Sequence, residues 1–504
     1  MRRTADGGLA DYSFSLTLAR NATTATTWNN MKKSIPLIVA AAIAAGMLLA
    51  QSRLEPGVKP FTSVDAPVIA LEHVRVIDGT GTPAVADETI VIDHGRIRAV
   101  GPAASTPAPS DAQVLDLRGH SVIPGLIGMH EHMFYPSGGG IPIYSEHAFS
   151  HPRLYLASGV TTARTAGSLE AYTDLNLKKL IDEGRMPGPQ LDVTGPYLEG
   201  HGAFTPQMHE LTGPDDARRM VDYWASEGVT SFKAYMHITR AELAAAIHQV
   251  HKHGLKITGH LCSVGFREAA ALGIDNLEHG LVVDTEFAPD KEPDVCPPGA
   301  EASIAKLDLQ SAPAQEMIHE LVEHHVAVTA TLAVFEAMSG PGRPPLEPRM
   351  LEVMSPQAAV SYLASKELGL KRAPMIQALL KKEMAFERDF VKAGGLLMAG
   401  ADPTGNGGAI AGFADQRNIE LLVEAGFTPA EAVKIYTLNA AIFMGRANRI
   451  GTIAEGKDAN LVVIDGDPST QINDIEKVST VFKDGVGYDS AKLIASVAHA
   501  VGLH

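Results

Sequence analysis

The chain has 504 residues, 45% of them hydrophobic, and a formal net charge of −16. That length and apolar content suffice for one large α/β domain and a smaller one. The acidic balance argues against nonspecific binding to nucleic acid or to anionic membrane surfaces. Only two cysteines occur, Cys262 and Cys296, too few for a disulfide framework or a cysteine-rich zinc site. Cys262 reads as a small buried hydrophobe at a strand end.

Residues 1–60 read as a leader rather than as fold. Met31-Lys32-Lys33 is a basic start, Ile35 to Ala50 an apolar stretch, and Ala50 and Ser52 have the small-residue spacing of a cleavage site. These features predict a signal peptide near 31–52 and an exported, periplasmic chain. The apolar stretch is short against the roughly 20 residues of a membrane span, and an uncleaved anchor is the alternative. Residues 1–30 carry no strong pattern, and Met31 reads as the true start, leaving 1–30 untranslated.

Residues 66–124 carry β-branched runs such as Val68-Ile-Ala-Leu and Thr89-Ile-Val-Ile, with turns at Asp78-Gly and His94-Gly. A second β-rich block, 446–490, contains Leu461-Val-Val-Ile-Asp465 and Val478-Ser-Thr-Val-Phe. Two such flanks predict one small composite β-sandwich domain built from both ends of the folded chain. The middle, 125–445, alternates strand-like and helix-like segments. Strands are expected near 123–129, 159–164, 190–195, 229–235, 255–261, 274–279, 325–331 and 395–401. Eight such units predict a (β/α)8 TIM barrel. Long intervals at 280–324 and 332–394 flank the seventh strand, and the second reads as a candidate lid.

Five of these segments end in residues able to bind metal. His130 and His132 close Gly125-Leu-Ile-Gly-Met-His-Glu-His, where residues two apart on a strand face one side. An isolated H-x-H is weak evidence in a chain with 20 histidines; the apolar strand leading to it strengthens the reading. Lys233 ends Thr230-Ser-Phe-Lys, His260 ends Lys256-Ile-Thr-Gly-His, and His279 ends Asn276-Leu-Glu-His. Asp402 ends Leu396-Leu-Met-Ala-Gly-Ala-Asp. A desolvated lysine loses its proton more readily, and its neutral amine can add carbon dioxide to give a carbamate with two oxygens. Together the six donors predict two divalent ions, a carbamate on Lys233 and a bridging hydroxide. Asp402 would take the proton of that water and return it to the leaving nitrogen.

These segments resemble the amidohydrolase superfamily, in its imidazolonepropionase-like and prolidase-like branch. The resemblance runs from residue 68 to 490 and includes Gly451-Thr-Ile-Ala-Glu-Gly-Lys-Asp-Ala-Asn-Leu. The family commonly has Asp where this chain has Asn460, a position in the small β domain. The resemblance implies metal roles for His130, His132, Lys233, His260, His279 and Asp402, with zinc as the usual ion. It also implies hydrolysis of an amide C–N bond in a dipeptide or N-acyl amino acid. A cyclic amide or other small C–N compound is the alternative, and a non-catalytic binding protein on the same fold is a third reading. Expected partners are a small-molecule amide or dipeptide, with a homo-oligomer left open.

Two further residues are candidates for substrate contact. Tyr235 shares the inward face of the Lys233 strand; its hydroxyl would hydrogen-bond the scissile carbonyl, or its ring would fill the barrel mouth. His201, in Leu198-Glu-Gly-His-Gly, follows the third strand and is a second catalytic candidate. For Arg164, at the end of the second strand, a structural ion pair is favoured over a substrate carboxylate.

Overall fold

The turn at Pro124-Gly125 divides the fold. In the computed structural model, which describes residues 54–137, 142–340, 342–344 and 347–503, His120–Pro124 runs up to this turn in a nine-stranded sheet. Leu126–Glu131 leaves the turn as the first parallel strand of the other half. The Gly125 amide donates to the Asn460 carbonyl at 2.7 Å, pinning the junction to the C-terminal flank.

The nine-stranded sheet mixes both flanks. Leu461–Asp465 pairs antiparallel with His120–Pro124, in the register Leu461 to Pro124 and Val463 to Val122. Thr62–Val64 pairs with Val486–Asp489. Alternating residues Leu461 and Val463 pack with Val122, Ile69 and Phe482 in a core separate from the larger one. Asn460 helps hold this sheet, its side-chain oxygen accepting from the Asp484 amide at 2.7 Å.

The other half carries parallel strands in two ladders. Gln190–Asp192, Val160–Thr165 and Leu126–Glu131 form one; Ser231–Ala234, Lys256–Gly259, Asn276–Glu278, Ala327–Ala330 and Leu397–Ala399 form the other in chain order. Parallel bridges from Thr194 to Ser231 and from Leu198 to Ala234 join the ladders. At the far edge the Asp402 amide donates to the His130 carbonyl at 2.9 Å. This is a mixed α/β architecture of TIM-barrel type. Each of these eight parallel strands lies within or beside its expected window, but most are shorter, as where 395–401 narrows to Leu397–Ala399; the two-stranded sheet of Phe134–Pro136 and Tyr144–Glu146 was not expected. Helices follow the strands and cover them, for instance Arg240–Lys252, whose Thr239 and Glu242 form a reciprocal cap. The candidate lid interval is largely helical, with Pro356–Leu368 and Ala373–Lys392 as its longest pieces.

Gly400 sits where the last strand meets the first. A β-carbon there would stand 2.2 Å from the His130 nitrogen, so only glycine permits the approach. Gly400→Ala is expected to lower stability by about 1–3 kcal/mol through overpacking and to weaken metal retention, because it moves His130. Denaturant unfolding and metal analysis of the purified variant check both.

Two expectations need correction. The leader was expected to run to residue 60, yet Leu54 and Val58 are buried in the main core and the Glu55 amide donates to the Gly184 carbonyl. Burial of these two apolar side chains makes 54–60 part of the fold. The signal peptide expected at 31–52 lies outside the described residues. Cys262 is not a free hydrophobe but forms a disulfide with Cys296, their Cα atoms 4.9 Å apart. The bond ties the segment after the fifth parallel strand to the loop that follows the sixth. A separation of 34 residues hid the pairing, since only the returning loop brings the two thiols together.

Candidate metal centre

His130, His132, Lys233, His260, His279 and Asp402 all face one cavity of about 320 Å³. Five of the six are buried, and His260 is partly so. Asp402 lies at the centre. Its Oδ1 is 3.6 Å from His132 Nε2, and its Oδ2 is 3.8 Å from His130 Nε2 and 3.7 Å from His279 Nδ1. Lys233 Nζ is 3.2 Å from His130 Nε2. The rings of His260 and His279 approach to 4.5 Å between centroids. Two donors each about 2.1 Å from a shared ion lie about 3–4 Å apart, so the His130, His132 and Asp402 spacings fit a metal.

Electrostatics prepare these groups as ligands. Burial, then neighbouring positive groups, lowers the affinity of all four imidazoles for protons, so they stand neutral with a free lone pair. Burial also brings Lys233 down to about 8, offset in part by Glu278 and Asp402. An unfolded lysine keeps its proton to about 10.5, so between about 8 and 10.5 the unfolded chain binds the extra proton. Metal-free protein in bicarbonate-free buffer is therefore expected to gain stability across that window as pH rises. Lys233→Met should remove that part of the slope, as urea unfolding of both proteins at several pH values would read.

Glu278 orients the centre from beneath. Its carboxylate accepts from Arg164 at 2.6 Å, from the Thr258 hydroxyl, and from His130 Nδ1 at 2.8 Å, which turns His130 Nε2 toward Lys233 and Asp402. Burial alone would raise this carboxyl; Arg164 and His130 outweigh it and hold it well below the usual range. Arg164 thus serves as an internal ion-pair partner. His132 is set in the same way, Nδ1 to the Gly167 carbonyl at 3.2 Å. The sequence reading passed over Glu278, although the alternation Asn276, Glu278 puts an acid on the strand face where a buried arginine also points. Glu278→Ala would leave Arg164 buried without its partner, with an expected stability loss of about 3–5 kcal/mol. Thermal or denaturant unfolding measures it.

The backbone is strained at two ligands. His279 has φ of 66° and Asp402 of 46°, in the left-handed region that side chains other than glycine seldom adopt. Both residues stand just past a strand end, and the conformation turns each side chain over the strand mouths.

Tyr235 lines the cavity, its ring 4.9 Å from His260. Burial raises its hydroxyl well above the phenol range and keeps it neutral, able to donate. His201 behaves differently. Its side chain is 96% exposed, Nδ1 pairs with Glu210 at 2.8 Å, and it does not line the cavity. The loop after Leu198 carries the His201 ring outward, so the structure does not bring it together with the other site residues. The nearby Glu199 does the buried work of that loop, accepting from the amides of Gly200 and His237.

Neutral imidazoles, a lysine of lowered basicity and a carboxylate meet at the C-terminal ends of parallel strands, and His130, His132 and Asp402 among them are spaced to hold a metal ion. Residues 121–486 match the Amidohydrolase family, and the chain belongs to it. An imidazolonepropionase of Streptomyces avermitilis is 29% identical over 138 residues, 27% of this chain and 30% of that protein. The chain thus matches under a third of that relative's length. A putative prolidase from Bifidobacterium longum has the same fold, with TM-score 0.60, 24% identity, and coverage of 83% of this chain and 94% of that one. A Xaa-Pro dipeptidase with bound methionine gives TM-score 0.64 at 21% identity, covering 84% and 100%.

Proposed function

We propose that the chain hydrolyses the amide bond of a small molecule, of the dipeptide or N-acyl amino acid class, at two divalent ions, with zinc as the ions. His130, His132 and Asp402 would hold one, His260 and His279 the other, and a carbamate on Lys233 would join them. Convergence of all six donors on one cavity carries this reading. Ions held there supply Lewis acidity, acidifying a water and polarising the scissile carbonyl. Asp402 takes the water's proton on a carboxylate oxygen and returns it to the leaving nitrogen. Tyr235 donates its O–H to the substrate carbonyl oxygen and fixes its direction. Glu278 and Gly167 hold the His130 and His132 tautomers that keep Nε2 free.

A closed eight-stranded barrel, 125–445, with a composite β-sandwich from 66–124 and 446–490, is the frame we propose for this site; the junction at Gly125 and the Asp402–His130 backbone bond support it. Export to a periplasm is supported by the Cys262–Cys296 disulfide, which persists in oxidising compartments. The prolidase and dipeptidase neighbours favour a dipeptide-like substrate, and the imidazolonepropionase match favours a cyclic amide as the second reading. Retention of all six donors leaves no support for the non-catalytic alternative.

Purified protein loaded with zinc, assayed on dipeptides, N-acyl amino acids and cyclic amides, tests the reading. Turnover on the first two, lost on chelation and restored by metal, is expected. Turnover that survives complete metal removal would overturn it. Tyr235→Phe is expected to cost about 10²-fold in kcat, the scale of one oxyanion donor, with metal content unchanged.

A further inference from the structure

Six rings at the cavity form a closed circuit of contacts. His132 stacks on Phe134 at 4.4 Å, Phe134 meets Tyr144 at 5.3 Å, and Tyr144 meets Phe204 at 6.0 Å. Phe204 then meets Tyr235 at 5.7 Å, Tyr235 meets Tyr197 at 4.7 Å, and Tyr197 returns to His132 at 6.4 Å. Every member lines the same cavity. The facing wall is apolar, with Phe335, Val334 and Met338. Such surfaces favour flat or bulky apolar groups, held by area and by edge-to-face contact.

Charge on the lining is as informative. Among the described residues the cavity has no arginine and only one lysine, Lys233, which belongs to the metal donors. The charged lining residue outside the metal donors is an acid, Glu301, paired at 2.7 Å with Arg372. A substrate carboxylate in this cavity would meet aromatic walls and an acid, with no cationic side chain among the described lining residues outside Lys233 to receive it, and burying one unpaired is costly.

We propose that the preferred substrate is an amide bearing an aromatic or bulky apolar group and no free carboxylate. The inference rests on the amide-hydrolase reading above and ranks carboxylate-blocked or carboxylate-free amides above free dipeptides and N-acyl amino acids as substrates. Phe204 and Tyr144, joined to the rest of the circuit by ring contacts with each other, with Phe134 and with Tyr235, are the specificity-determining positions.

The test uses the full-length, zinc-loaded protein on a matched set: a neutral N-aryl amide, the same amide with a para-carboxylate, the same with a para-trimethylammonium, a small aliphatic amide, and a dipeptide with a free C-terminus. The neutral aryl amide is expected to exceed its carboxylate analogue and the aliphatic amide in kcat/KM by at least about tenfold, the scale on which an apolar pocket discriminates. Phe204→Leu, a mild change, and Phe204→Ala should each shrink the aryl-over-aliphatic ratio, mainly through KM. Preference for the carboxylate analogue or the dipeptide would overturn this inference and leave amide hydrolysis standing. Preference for the trimethylammonium amide would overturn its uncharged clause, and an unchanged ratio in both Phe204 variants would overturn the aromatic one. Silence on the whole set, with metal bound, would strike the amide reading itself and this inference with it.

Discussion

Replacing Lys233 by alanine is expected to abolish turnover, by at least about 10³-fold, and to lower bound metal. The magnitude follows from removing several kcal/mol of metal-centred charge stabilisation. Lys233 is the amine of the site, buried, brought down to about 8 by desolvation, and 3.2 Å from His130 Nε2. An ordinary buried lysine would show neither effect, since its loss would alter packing alone. Two readouts separate the cases. Metal analysis should fall below two ions per chain, and a small carboxylic acid such as formate or propionate should restore part of the activity by standing in for the carbamate oxygens. Full activity in Lys233→Ala would remove the basis for a carbamate bridge.

Asp402→Asn should leave the shape of the site intact and cost about 10²–10⁴-fold in kcat, the range for loss of a positioned general base. The amide cannot take a proton, although it keeps the contacts of the carboxylate. One of these is with the Thr404 hydroxyl, 2.7 Å from Oδ1. Metal loss in this variant would be smaller than the rate loss, because His130 and His132 remain. A variant that keeps its rate would require another base.

The sequence made the donors legible because a strand has a fixed period and a defined end. Apolar runs terminating at His130, Lys233, His260, His279 and Asp402 could be read without knowing how the strands pack. Arg164 was legible as an ion-pair partner for a related reason: a charge on a buried strand requires one. The partner itself, Glu278, was overlooked beside the more conspicuous His279. The aromatic circuit was not legible. Tyr144 opens the short strand Tyr144–Glu146 and Phe204 lies in an irregular connection, and their placement depends on tertiary contacts such as the Gln207 carboxamide bonding the Tyr144 backbone. The outward turn of the His201 loop was not legible for the same reason, since it follows a segment that reads like the others. The disulfide stayed hidden because residue spacing says nothing about where a long loop returns.

The left-handed corners at His279 and Asp402 set a limit on engineering this scaffold for heat resistance. Each holds about 1–3 kcal/mol of conformational strain that a glycine would relieve. A screen selecting only for survival at high temperature, with chelator present, should therefore recover His279→Gly or Asp402→Gly. Such isolates would be hardier than the parent and inert, so robustness and turnover pull in opposite directions at these two positions.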